Sequence, residues 1–117
     1  MIEKNSSGKQ DSKNDYTATL SYKFNNIEIT LDVPKGVWNP TPNGLLLGNV
    51  LSKLNFANKS ILELGTGCGI HAIIMGKLNA KDLTLTEIDD ETNDIAAHNL
   101  RKNNVAIPIS FETSGLD

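Results

Sequence analysis

Three glycines at alternate positions, Gly65, Gly67 and Gly69, follow a short apolar run from Ile61 to Leu64. A helix-like segment, Ile70 to Leu78, comes directly after them. Strand, glycine loop and helix together let a backbone come close to a nucleotide-like ligand. Glycine suits that loop because some of its turns need positive φ, and because a Cβ would block the ligand's approach. The following helix start offers unpaired N–H groups to polar or anionic atoms. Acidic residues flank the loop. Glu63 lies inside the apolar run, and Glu87 lies 22 residues beyond Gly65, at the end of Leu83-Thr-Leu-Thr-Glu-Ile-Asp89. A carboxylate at that spacing accepts two hydrogen bonds from a vicinal diol, which is the chemistry of ribose recognition.

The spacing restricts the ligand. A dinucleotide loop reads G-x-G-x-x-G, and here the third glycine comes one residue early, with Ile70 at the dinucleotide position. Ile70 and His71 also stand where a phosphate-binding loop needs Lys and Ser or Thr. Instead, Glu63-Leu-Gly-Thr-Gly-Cys-Gly69 resembles the first motif of class I S-adenosylmethionine-dependent methyltransferases. The run from Glu87 through a helix with Ala96-Ala-His-Asn99 to Asn103-Asn104 is similar to the next part of that family's pattern. Gly36-Val-Trp-Asn-Pro-Thr-Pro-Asn-Gly-Leu-Leu-Leu47 resembles the segment before its first motif. The match spans residues 36–113. It leaves open release-factor, ribosomal RNA, ribosomal-protein and protein-lysine methyltransferases as subgroups.

The resemblance implies S-adenosylmethionine as cofactor and a protein or RNA methyl acceptor. It implies Glu63 near the methionine ammonium, Gly65, Gly67 and Gly69 against the cofactor, and Glu87 on the ribose. Asp89 is a second ribose contact or a helix cap, with the cap favoured. The adenine-contacting position falls near Gly115, with Asp117 two residues on. No catalytic residue is assigned. Methyl transfer to a nucleophilic acceptor depends mainly on in-line positioning, so the absence of a general-base constellation is no objection.

The rest of the chain must position these groups. Ala18, Leu20, Tyr22 and Phe24 alternate with polar residues, as do Ile27, Ile29, Leu31 and Val33, across Asn25-Asn26. This predicts a β-hairpin over 16–34. Thr41-Pro42 is a helix start, with Leu47, Val50, Leu51 and Leu54 at helical spacing behind it. From Ser60 the order strand–helix–strand–helix–strand predicts an α/β, Rossmann-like parallel sheet with right-handed crossovers, its last strand over 107–113. Residues 1–15 read as a disordered polar tail, and residues 35–117 as the N-terminal half of a cofactor-binding domain.

In the family's seven-strand order, 3-2-1-4-5-7-6, only strands 3-2-1 are supplied. The strand that carries acceptor contacts, often ending in Asn/Asp-Pro-Pro-Tyr/Phe, has no counterpart. One edge of the apolar first strand is therefore expected to stand unpaired. The chain is expected to be a fragment of a longer enzyme, or to pair with a second copy or a partner chain. A non-catalytic cofactor-binding subunit is the alternative function.

Composition sets further bounds. With 117 residues the chain makes one domain at most. Net charge is −3, and the ten lysines and Arg101 form no stripe, which argues against nucleic-acid binding through this segment. Cys68 is the sole cysteine, in keeping with a reducing cytoplasm. His71 and His98, 27 residues apart, do not make a metal site with it. His71, in the first turn of the helix after the loop, either lines the adenosine pocket or packs or lies at the surface, with the latter favoured, and His98 is expected to lie on an exposed helix face. Trp38 is a candidate lid or core residue. No apolar run is long enough to span a membrane.

Overall fold

The computed structural model describes residues 16–37 and 39–113. The expectations for the tail at 1–15, for Trp38 and for Gly115 and Asp117 lie outside them. Strands β1 (Tyr16–Phe24) and β2 (Ile27–Pro34) form the antiparallel hairpin. Its two-residue turn places Asn25 at φ 55°, in the left-handed region that asparagine tolerates. The register pairs Leu20 with Leu31 and Phe24 with Ile27, so the apolar positions of both strands share one face. Leu20, Phe24, Ile29, Leu31 and Val33 are buried there.

Helix α1 (Pro42–Leu51) is capped by Thr41, whose side chain accepts from the Gly44 N–H at 3.0 Å. Then come β3 (Ser60–Leu64), α2 (Ile70–Lys77), β4 (Asp82–Glu87), α3 (Asp90–Lys102) and β5 (Ile109–Thr113). Strands β3, β4 and β5 form a parallel sheet in that order. The register aligns Ile61 with Leu83 and Leu83 with Ile109, so these side chains point to one face. There α2 and α3 cover them, and the hairpin packs on the far side of both helices. Helix α2 is thus sandwiched, which is why Ile70-His-Ala-Ile-Ile-Met75 is apolar almost all round.

The other sheet face carries Leu62 and Leu64, which are 63% and 75% exposed. The hairpin forms its own sheet, and among the described residues no strand pairs with the second edge of β3. The expected helical stripe is not buried either: α1 ends at Leu51, and Leu47, Val50 and Leu54 are exposed. Of α1 only Gly48 is buried. A Cβ there would stand 3.1 Å from the Phe24 ring and 3.2 Å from Ile74, so the lack of a side chain sets how closely α1 docks.

Helix α3 holds the hairpin by its backbone. Asn103 accepts from the Thr30 N–H at 2.9 Å and donates to the Thr30 carbonyl at 2.8 Å. Asn99 accepts from the Asp32 N–H at 2.9 Å and donates to the Asp32 carbonyl at 3.1 Å. The two spacings are commensurate: four helical residues rise about 6 Å, and two strand residues span about 6.8 Å. Asn99 also donates to the Cys68 carbonyl at 2.8 Å. Buried Asp32 accepts from Thr19 at 3.0 Å, meets His98 Nε2 at 2.7 Å and meets Lys102 Nζ at 3.3 Å. Burial pushes its carboxyl up, but the His98 and Thr19 hydrogen bonds and the Lys102 ammonium outweigh burial and hold it below the ordinary carboxylate range. His98 is therefore half-buried against Asp32 and not on the exposed face expected of it.

Replacing Asn99 should be costly. Asn99→Ala strands two carbonyls and an N–H, and is expected to lower unfolding free energy by about 3 kcal/mol. Asn99→Asp should do at least as much harm, because an acceptor then faces two carbonyls. Chemical denaturation checks both; a loss below about 1 kcal/mol would contradict this account of α3.

Candidate functional site

The glycine loop emerges where β3 and β4 end side by side. Gly65 and Thr66 both donate to the Thr86 carbonyl, at 3.0 and 3.2 Å, which folds the loop back over β4. Gly67 then donates to Glu87 Oε2 at 2.7 Å, and the Ile88 N–H reaches the other oxygen of that carboxylate at 3.2 Å. Gly69 closes the turn by donating to the Thr66 carbonyl at 3.0 Å.

All three glycines have positive φ: 74°, 58° and 93°. Their surroundings differ. A Cβ at Gly65 or Gly67 would meet nothing within 4 Å, so both positions border open space. A Cβ at Gly69 would meet Ala96 at 3.3 Å, so this glycine also sets how closely the start of α2 passes α3. Between them Cys68 is buried, and burial pushes its thiol up to about 11. It stays protonated and fills space.

Glu63 faces the loop from β3. Its Oε1 accepts from the Thr66 hydroxyl at 2.9 Å, and its Oε2 lies 3.5 Å from His71 Nδ1. His71 Nε2 lies 2.8 Å from the Gly44 carbonyl of α1. The Glu63 carboxylate raises the His71 imidazole above its ordinary value; burial opposes this, and the Gly44 carbonyl adds to the rise. His71 thus has partners on both ring nitrogens. Asp89 caps α3, accepting from the Thr92 N–H at 2.8 Å, and that bond holds its carboxyl below the ordinary range.

The structure therefore brings Glu63, Gly65, Gly67, Gly69 and Glu87 to one end of the sheet, with Asp89 two residues past Glu87. Sequence reasoning missed two links. The Glu63–His71 pair joins a strand end to the first turn of the helix after the loop; their spacing of eight residues is a signal once the loop geometry is known. The Asn99–Cys68 bond crosses 31 residues and leaves no local signal. Among the described residues no group of three or more His, Cys, Asp or Glu could hold a metal ion, and no helix is long and apolar enough to cross a membrane.

A β/α/β/α/β unit with a glycine loop after its first strand and an acid ending its second has the Rossmann-like architecture of class I methyltransferases. Solved structures share it. The TYW2 protein of P. horikoshii, in complex with MeSAdo, superposes with TM-score 0.63 at 16% identity, covering 83% of this chain and 36% of that one. The M. jannaschii TYW2, in complex with AdoMet, gives TM-score 0.62 at 15% identity, covering 82% and 43%. At the sequence level, the profile of the ribosomal protein L11 methyltransferase (PrmA) family matches residues 44–115. This chain belongs to that family. Its relatives include the ribosomal protein L11 methyltransferases of Fusobacterium nucleatum, 35% identical over 66 residues, and Deinococcus radiodurans, 39% identical over 69 residues. The matches cover 56% and 57% of this chain but only 21% and 25% of those relatives.

The glycines should separate by substitution. Gly67→Ala meets open space and pays only for its backbone, about 1–2 kcal/mol. Gly69→Ala adds the clash with Ala96 and should cost about 1 kcal/mol or more beyond that. Thermal unfolding of the two variants checks the order; equal losses would contradict the packing role of Gly69.

Proposed function

We propose that this chain is the cofactor-binding half of an S-adenosylmethionine-dependent methyltransferase. The observation that carries the reading is the 2.7 Å bond between the Gly67 N–H and Glu87. It joins the two motif elements that the family resemblance assigns to one ligand. Glu87 accepts two backbone N–H groups, and a carboxylate has lone pairs left for a ribose diol. Gly65 and Gly67 border the space into which the nucleoside would come, and Gly69 opens the helix behind it. Glu63 serves the methionine ammonium. Asp89 offers the diol the oxygen it does not use for capping.

The acceptor on this reading is a protein or an RNA, and the name shared by the relatives favours a protein of the ribosome. A cytoplasmic location goes with such an acceptor and with the free, buried Cys68 thiol. A second reading rests on the open side of β3: a cofactor-binding unit that needs further chain, from the same protein, a second copy or a partner. The exposed Leu62 and Leu64 and the unpaired strand edge support it.

Calorimetric titration with S-adenosylhomocysteine tests the cofactor assignment. Glu87→Ala should weaken binding at least tenfold, since charge-assisted bonds to the diol contribute about 1.5–3 kcal/mol. Glu87→Gln keeps an acceptor for Gly67 and should fall between the two. Unchanged affinity in Glu87→Ala would remove this residue from the site.

A further inference from the structure

His71 sits between two acceptors. The Gly44 carbonyl, 2.8 Å from Nε2, can only accept, so Nε2 carries a hydrogen. On the other side of the ring, Nδ1 faces Glu63 Oε2 at 3.5 Å. An ionised carboxylate also only accepts, so a neutral ring would set its lone pair against a carboxylate oxygen. Both sides are satisfied when the ring is an imidazolium. Thr66 holds the second Glu63 oxygen at 2.9 Å, so the histidine and the threonine engage the carboxylate from two sides.

The neighbouring charges leave this pair to itself. Helix α2 packs against α1, β2, β4 and α3. Helix α1 contains no ionisable side chain. On β2, Asp32 is engaged by His98 and Lys102, and the Glu28 carbonyl receives Lys77. On β4, Glu87 holds Gly67. On α3, Asp90, Glu91 and Asp94 and the last-turn Arg101 and Lys102 are exposed. In the loop, Cys68 is a buried neutral thiol, and Tyr22, electrostatically coupled to it, stays protonated. Among the described residues, Glu63 is thus the one anion placed against the imidazole.

We propose that His71 is a positioning residue whose Nδ1 proton holds Glu63 in the free protein and leaves when a ligand with an α-amino-acid tail arrives. The inference rests on the cofactor reading above, in which Glu63 receives the methionine ammonium. One carboxylate then faces two cations in a half-buried site. Imidazolium is the stronger acid of the two, with an intrinsic value near 6.5 against about 7.7–8.0 or higher for an α-ammonium group, so its proton is the one released to solvent. The ring keeps its Nε2–H on Gly44, so α1 stays tethered. Binding is a one-for-one exchange of ammonium for proton at Glu63.

The sign follows. While His71 is protonated in the free protein, each bound ligand releases up to one proton, so affinity rises with pH by up to tenfold per unit. It levels off above the His71 value. A ligand with the same nucleoside thioether but no amino-acid tail, 5′-methylthioadenosine, releases none.

The test uses the full chain. Histidine side chains are followed by NMR across pH 5–8 in wild type and Glu63→Gln, without ligand. Calorimetry with S-adenosylhomocysteine and with 5′-methylthioadenosine is then run in two buffers of different ionisation enthalpy. The expected results are a His71 titration that moves to lower pH in Glu63→Gln, and proton release with the first ligand alone. His71→Gln should still bind, with affinity flat over pH 5.5–7.5. The proposal is overturned if Glu63→Gln leaves the His71 titration where it was. It is also overturned if S-adenosylhomocysteine binds with no more proton release than the tail-less ligand. Failure of both ligands to bind removes the cofactor reading and the exchange with it, while the ligand-free titration still reports the pair.

Discussion

The Asn99 side chain is the constraint on which the rest of the structure depends. It is fully buried and uses three of its hydrogen-bonding sites on backbone. Two of these bonds hold Asp32 of the hairpin and the third holds Cys68 of the glycine loop. A buried amide is tolerated only when its polar atoms are paired, and each partner is a backbone group that also needs pairing. The hairpin, α3 and the loop therefore come together as one unit. Asn103 repeats the arrangement one helical turn later, where Thr30 stands opposite.

That unit grips the glycine loop from several sides. Asn99 holds Cys68 from behind, Glu87 holds Gly67, Thr86 takes Gly65 and Thr66, and Glu63 takes the Thr66 hydroxyl. A loop with three positive-φ residues would otherwise sample many conformations. Held this way, it keeps Gly65 and Gly67 bordering open space at the sheet end. The acids that fix the loop are the same acids that the proposed function assigns to the ligand, so on that reading loop geometry and ligand recognition are not independent.

Much of this was legible in the sequence where the signal is local. Alternation marked the hairpin, the glycine spacing marked the loop, and the acid at Glu87 marked the end of the next strand. What was not legible depends on partners far along the chain. The stripe of α1 read as a core face, yet Leu47, Val50 and Leu54 are exposed. Periodicity shows that residues share a face, but not that anything covers it. His98 read as a surface residue because its partner Asp32 lies 66 residues away. Asn93 and Asn99 lie inside α3, where asparagine has no local advantage, and their bonds to β5, the hairpin and the loop become visible only in three dimensions.

Family membership and the open side of the sheet fit together. The chain spans about a quarter or less of the curated relatives it matches, and the family profile, over residues 44–115, takes in the glycine loop and its supports. The central claim is that this end of the sheet receives an S-adenosyl ligand. Amide chemical-shift mapping with S-adenosylhomocysteine tests it most directly. The account predicts saturable shifts concentrated at Gly65–Ile70 and Glu87–Asp89, largest at Gly67, whose N–H now rests on Glu87. Saturable shifts confined to another surface, or none in a folded sample, would contradict it.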